Sequence, residues 1–158
     1  MSILIERVEG PTPGLAAFLL AHHADMAGTA PPESQHALPL DRLLDPGVRL
    51  FIARDGDALV ATGALAPLPD GDRHEELKSM RTDPARRGEG LGARMLDALL
   101  ADARERGIRR VSLETGSDDF FAAAHRLYAR AGFVACAPFA GYVADPHSTF
   151  LSVDLSAR

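Results

Sequence analysis

Apolar residues recur along the chain with two periods, and the switches between them mark out its elements. Ile3, Ile5 and Val8 alternate loosely, predicting a first strand over residues 2–8. Pro11, Pro13 and Gly14 interrupt it, and an apolar stripe then predicts a helix over 15–26, with Pro13 near its first turn. A loop at Pro31-Pro32-Glu33-Ser34 leads to a short helix over 40–44, stopped by Asp45-Pro46-Gly47. Two β-rich runs, 48–53 and 58–65, flank Asp55-Gly56 and read as a hairpin. A turn over 67–72, carrying Asp70-Gly71, precedes an extended segment over 74–81. Leu91, Met95, Leu96, Leu99 and Ala103 then line one face of a long helix, with Arg94, Asp97 and Asp102 on other faces and Gly107 as C-cap. A strand over 108–114 follows. Gly116-Ser117-Asp118 starts a last helix, where Ser117 or Asp118 can cap. Phe121, Ala124, Leu127, Tyr128 and Ala131 form its apolar face, Gly132 ends it, and strands over 133–137 and 149–155 close the chain. The order is strand, two helices, three strands, helix, strand, helix, two strands, without repeats or linkers. That is an α/β (α+β) chain, read as one domain over 1–158.

One stretch departs from this alternation of core and surface. Arg86-Arg87-Gly88-Glu89-Gly90-Leu91-Gly92 places three glycines and two arginines at the start of the long helix. Glycine lets an oxygen-rich group approach the backbone, the first turn of a helix offers free N–H groups, and arginine offers a forked donor. The combination predicts a phosphate-bearing ligand. A surface turn without a ligand is the plain alternative, but so many glycines would weaken a merely structural helix start. A P-loop would need Gly-Lys-Ser/Thr, which is lacking. A dinucleotide fingerprint fits Gly88, Gly90 and Ala93, with Glu114 as the ribose acid. That motif wants an apolar strand running into its first glycine, whereas Thr82-Asp83-Pro84-Ala85 intervenes.

Composition narrows the partners. The 158 residues carry a net charge of −5, which argues against general nucleic-acid affinity. Hydrophobic content of 46% and charged content of 25% are those of an ordinary soluble protein. No apolar run is long enough for a bilayer and no signal peptide is recognisable, so a cytoplasmic protein without membrane contact is expected. The single cysteine, Cys136, excludes an internal disulfide and reads as a small buried hydrophobe. The histidines His22, His23, His36, His74, His125 and His147 show no metal spacing, so no metal is expected.

The glycine turn, with its preceding Asp-Pro and arginines, resembles the R/Q-x-x-G-x-G/A loop of the GNAT (GCN5-related) N-acetyltransferases. Leu127-Tyr128-Ala129-Arg130-Ala131-Gly132-Phe133 resembles that family's L-Y-x-x-x-G-F. The order of elements matches the family end to end. Pro32-Glu33-Ser34, Lys78-Ser79-Met80 and Leu113-Glu114-Thr115-Gly116-Ser117 resemble a bacterial subgroup of uncertain substrate.

The resemblance implies a central mixed, mostly antiparallel sheet with a splayed strand pair, flanked by helices. It also implies direct acetyl transfer from acetyl-coenzyme A to a primary amine of a small or amino-acid-like acceptor. By position, Met80, Arg81 and Thr82 would border the coenzyme, and the backbone of Arg86, Arg87, Gly88, Glu89, Gly90, Leu91 and Gly92 would hold its pyrophosphate. Tyr128 would be the general acid. Glu75 and Glu76 lie on the strand lining the family's acceptor site and alternate to opposite faces. Glu76 is favoured as general base because it shares a face with Lys78 and Met80. Glu33, Ser34, His36 and Glu114 are acceptor-site candidates. The asparagine that many members carry near the start of the last helix is replaced here by Ser117, Asp118 and Asp119, so its role is not transferred. Members are often homodimers. A non-catalytic acyl-coenzyme A binding module and a dinucleotide-dependent oxidoreductase remain alternatives.

Overall fold

The structure, a computed structural model, describes residues 2–36, 38–70 and 73–156. Its elements are β1 (Ile3–Val8), α1 (Leu15–Met26), α2 (Leu40–Leu43), β2 (Arg49–Asp55), β3 (Ala58–Pro67), β4 (His74–Thr82), α3 (Leu91–Glu105), β5 (Arg110–Gly116), α4 (Ala122–Arg130), β6 (Val134–Ala135) and β7 (Ser148–Asp154). Short 3-10 turns occupy Pro32–Ser34, Pro84–Arg86 and Asp119–Phe121. Of the expected turn over 67–72, Gly71 and Asp72 lie outside the described residues.

The strands form one sheet in the order β1-β2-β3-β4-β5-β7-β6. All neighbours are antiparallel except β4 and β5, the mixed and mostly antiparallel sheet expected. The parallel pairing covers only His74↔Arg110, Glu75↔Val111 and Glu76↔Ser112. Beyond Glu76, β4 continues with β3 as far as Thr82↔Ala61, while β5 continues with β7 as far as Gly116↔Ser148. The two central strands therefore part company and leave a gap. The closed end is held by side chains as well as by the ladder. His74 Nε2 lies 2.6 Å from Ser112 Oγ, which donates to Ser152 Oγ at 3.0 Å, and Arg110 Nε donates to the same Ser152 oxygen at 2.7 Å.

Two apolar layers cover the sheet. On one face α3 buries Leu91, Met95, Leu96, Leu99, Leu100 and Ala103 in a core shared with Val111, Leu113 and Tyr128. Each fully buried aliphatic side chain contributes about 1.5–3 kcal/mol, so this face outweighs any capping term. Glycine ends both long C-terminal helices in the left-handed conformation: Gly107 at φ 80° and Gly132 at φ 98°. Ile108 N–H reaches back to Ala103 O and Phe133 N–H to Tyr128 O, the paired bonds of a Schellman stop. On the other face α1 and α2 bury Leu15, Leu19 and Leu43 against Leu50, Ile52 and Ala64. The helix expected over 40–44 is a single turn. The strand expected over 133–137 shortens to Val134–Ala135, because Phe133 is used by the helix stop, although Cys136 N–H still pairs with Phe150 O.

Strand β4 is itself irregular. Lys78 faces Ala64 and Arg81 faces Thr62, so Ser79 and Met80 together oppose Gly63. The extra residue is a β-bulge, and Ser79 takes φ 56°, a left-handed angle uncommon for a residue with a side chain. Thr62 Oγ1 donates to Ser79 O at 2.8 Å and pins it. The bulge reverses the alternation. Met80 packs toward Met95 and Leu99 beneath Gly63, and Arg81 turns to α1, donating to Asp25 at 2.7 Å and lying over the Phe18 ring. Met80 therefore does not share a face with Glu76, as regular alternation had implied. Beside that ion pair, His22 on α1 is held near a pKa of about 4, against an ordinary 6.5, first by burial and then by the positive field of Arg81.

Two predictions follow from this packing. A Cβ on Gly63 would come within 2.6 Å of Leu99 Cδ1 and 2.9 Å of Met80 Sδ. Gly63→Ala should cost about 1–3 kcal/mol by overpacking, read from equilibrium urea unfolding. His22 binds its proton more readily in the unfolded chain. Its contribution is therefore present above pH 6.5 and is lost as pH falls toward the folded value of about 4. That loss amounts to about 2–3 kcal/mol, and His22→Gln should flatten the corresponding part of the stability–pH curve relative to the wild type.

Candidate active site

The gap between the parted strands opens into a cleft of about 130 Å³. Its walls come from β4 (77–80), β5 (113–116), the α1 end with His22 and Met26, the loop with Ser34 and His36, and Tyr128 on α4. A second cavity of about 290 Å³ shares His36 with it and is lined by Glu33, Glu76, Tyr142 and Asp145.

The adjacent carboxylates Glu75 and Glu76 have opposite surroundings. Glu75 is buried and held at both oxygens by Arg106, at 2.7 and 3.0 Å. Arg106 also pairs with Asp102, which Arg49 grips at both oxygens at 2.8 and 2.9 Å. This chain ties β4 to α3 and β2 and leaves Glu75 no free oxygen. Glu76, also buried, uses one oxygen only among the described residues: its Oε2 accepts the Tyr142 hydroxyl at 2.5 Å and the Lys78 ammonium at 3.2 Å. Lys78 in turn donates to Tyr142 Oη at 3.1 Å. The Tyr142 phenol is pushed far above its ordinary range, first by burial and then by the bond to Glu76, so it remains a donor.

The four acceptor-site candidates fall on these two cavities. Ser34 is buried and donates to Asp145 Oδ2 at 2.5 Å, joining the early loop to the loop before β7. Its bond, with the His147 N–H, holds the Asp145 carboxyl below the usual range. His36 meets the Tyr142 ring edge-on at 4.9 Å. Glu114 accepts from Ser148 at 2.7 Å, and burial raises its pKa. Glu33 borders only the second cavity.

Tyr128 lies in the core of α4, packed on Phe133 and bordering the cleft, with burial raising its phenol well above the ordinary value. Asp118, not Ser117, caps the turn before α4, accepting from Phe120 N–H at 2.9 Å, while Ser117 donates to Pro146 O.

At the far end of β4 the glycine turn has the shape its composition suggested. Gly88 and Gly90 both take φ near 80°, and a Cβ on either would meet nothing within 4 Å. Glycine is required there by the backbone angle, and the space above it is open. Gly90 caps α3 with no side-chain bond, and the first turn contains no acidic residue. The opening N–H groups of this 15-residue helix thus lack an internal acceptor and point a partial positive charge outward. Gly92 has a different reason. Its Cβ would lie 3.3 Å from Leu127, so it permits close approach of α3 and α4, near Thr82. Leu91 is buried. The Arg86 side chain is engaged by Asp55 at 2.9 Å and Glu89 at 3.0 Å, so a phosphate would have to compete with carboxylates for that guanidinium. Arg87 lies close enough to Asp25 to help lower its pKa.

Sequence reasoning missed Tyr142. It stands in an aperiodic loop, 66 residues from Glu76, and no spacing signal connects them. Among the described residues no group of His, Cys, Asp and Glu could hold a metal ion, and no helix is long and apolar enough to cross a membrane. A 3-10 turn separates the end of β4 from Gly88, unlike a dinucleotide fingerprint.

Comparison with known proteins gives this architecture a family. The model of the acetyltransferase (GNAT) family matches residues 16–133. YedL of Escherichia coli (strain K12), an uncharacterized N-acetyltransferase, is 43% identical over 143 residues, covering 90% of this chain and 89% of its own. The IAA acetyltransferase of Azospirillum brasilense is 36% identical over 79% of this chain and 80% of its own. The crystal structure of a GNAT family acetyltransferase from Elizabethkingia anophelis with acetyl-CoA bound has a TM-score of 0.70 at 16% identity, over 97% and 98% of the two chains, and shares the fold. By family match and by these relatives together, the chain belongs to the acetyltransferase (GNAT) family.

Proposed function

We propose that the protein transfers an acetyl group from acetyl-coenzyme A directly to a primary amine of a small or amino-acid-like acceptor. The observation that carries the reading is the parting of β4 from β5. It leaves one cleft bordered by Tyr128, a candidate base, Glu76, beside it, and an uncapped helix start at the end of the same strand. The bound acetyl-coenzyme A of the Elizabethkingia anophelis protein and the GNAT family match support the choice of donor.

The backbone over 86–92, open above Gly88 and Gly90, suits a pyrophosphate bound through N–H groups rather than through Arg86. The edge of β4 over 77–82 has lost its partner strand and suits the amides of a pantetheine arm, with Met80, Arg81 and Thr82 along it. An alkylamine keeps its proton up to about pH 10, so transfer needs a base. Among the described residues Glu76 has an oxygen without a partner for that proton, whereas Glu75 has none. Tyr128 supplies a proton to the departing sulfur. Its raised phenol pKa would oppose transfer to a solvated thiolate. A thiolate released into the same apolar wall is raised for the same reason, which restores the match. Glu33, Ser34, His36 and Glu114 shape the acceptor side.

A non-catalytic acyl-coenzyme A binder would bind the donor and release no thiol with any amine. Thiol release across a panel of amines, measured beside calorimetric coenzyme A binding, decides between the two readings. Gly90→Val forces a β-branched residue to φ 80° and fills the cradle, so it should abolish coenzyme A binding while the melting transition persists; retained affinity removes the pyrophosphate assignment. Tyr128→Phe and Glu76→Gln should each lower kcat by about 10²-fold or more with coenzyme A affinity unchanged. The Glu76→Gln deficit should shrink toward pH 10 as the acceptor deprotonates by itself; a deficit constant with pH clears Glu76 of the base role.

A further inference from the structure

We propose that Lys78 is a site of self-acetylation, where the bound donor acetylates the protein's own ε-amine and silences the site when no acceptor is present. This modification rests on the function proposed above, from which it borrows donor and base.

Among the 17 lysine and arginine residues of the chain, Lys78 is the single lysine. An arginine guanidinium stays protonated and offers no free lone pair, whereas a lysine that gives up a proton is a primary alkylamine. That amine stands where the proposed reaction needs one. Lys78 lies two residues past Glu76↔Ser112, the last pairing of β4 with β5, and borders the cleft together with Tyr128. Its Nζ donates to Glu76 Oε2 at 3.2 Å and to Tyr142 Oη at 3.1 Å. The candidate base is therefore already presented with a primary ammonium, the chemical class of the proposed acceptor. The side chain is not sealed in. It keeps 11% of its surface exposed, and among the described residues one of its three N–H donors has no partner. A flexible four-carbon stem lets the head turn from Tyr142 toward the cleft that its own residue borders. A mere counter-ion for Glu76 could equally have been an arginine, which the chain uses for the adjacent Glu75.

The step balances within the groups already named. One Nζ proton passes to Glu76 and on to solvent, and the freed lone pair forms a bond to the thioester carbon. The carbonyl π pair moves onto oxygen and returns as the carbon–sulfur bond breaks, leaving its electrons on sulfur. Sulfur takes a proton from Tyr128, which a second Nζ proton replaces. Nε-acetyl-lysine and coenzyme A thiol are the only products, and no oxidant or reductant is involved. The new amide is no longer an activated acyl group, so the acetyl goes no further. Acetylation removes the positive charge beside Glu76 and puts an acetyl group where the acceptor amine has to stand. An acceptor that occupies Glu76 first displaces Lys78 and protects it.

The test incubates the protein with acetyl-coenzyme A and no amine, digests it with trypsin and weighs the peptides. Lys78 lies between Arg73 and Arg81, and trypsin does not cut after an acetylated lysine. The expected product is the uncut 74–81 peptide carrying one acetyl group. It should form about 10²-fold or more faster than in protein unfolded by urea, where the held geometry is lost. Glu76→Gln should slow it by about 10²-fold. Thiol release with an amine should decline in step with the marked fraction. Lys78→Arg, whatever its starting rate, should hold that rate through the same exposure. An unmarked 74–81 peptide overturns the proposal. So does a mark confined to the N-terminus, marking as fast in urea or in Glu76→Gln as in the folded wild type, or an equal decline in Lys78→Arg. A wild type that turns amines over yet stays unmarked defeats self-acetylation alone. One that binds coenzyme A, releases no thiol with any amine and stays unmarked defeats the acyltransfer reading as well.

Discussion

Everything distinctive in this molecule follows from how briefly β4 and β5 pair. Three parallel residue pairs, reinforced by the His74–Ser112–Ser152 side-chain chain, fix the closed end. After that each strand keeps its outer neighbour and abandons the inner one. A sheet interior opened in this way exposes backbone groups that a fold normally satisfies. α1 and α4 wall the opening instead of filling it, through His22 and Tyr128. The result is a slot with the unpaired edge of β4 along one side.

Charge is partitioned by the same strand. Glu75 and Glu76 are neighbours in sequence, yet the sheet sends one into the Arg106–Asp102–Arg49 chain and the other toward Lys78 and Tyr142. The first set spans three elements with every carboxylate oxygen engaged, as suits a structural ion-pair network. The second is small, lines a cavity and leaves an oxygen over. Two residues of one chemical type thus divide into a brace and a cavity-lining carboxylate because of pleat geometry alone.

Much of this was legible beforehand. The α3 face from Leu91 to Ala103, the two glycine helix stops and the Asp55-Gly56 hairpin are local patterns, and they hold. The glycine turn at Gly88 and Gly90 was legible for the same reason: an angle near 80° restricts residue choice. What escaped was non-local. The bulge carries Ser79 at its left-handed position instead of a glycine, so it left no compositional mark, and it moved Met80 off the face that alternation assigned. Asp55 captures Arg86 from a hairpin tip 31 residues earlier. Tyr142 reaches Glu76 from a proline-flanked loop without periodicity. These contacts are set by how the layers stack, and sequence spacing carries no record of that.

The Ser34–Asp145 bond has a consequence for how such a chain diversifies. It fastens two irregular segments, one before α2 and one before β7, and joins a residue lining the cleft, Ser34, to one lining the second cavity, Asp145. Neither segment belongs to the braced half of the sheet or to the glycine cradle. Insertions or exchanges in these loops can therefore reshape one rim while the machinery opposite is inherited intact. Descendants of a common ancestor could diverge in diet while keeping the same engine.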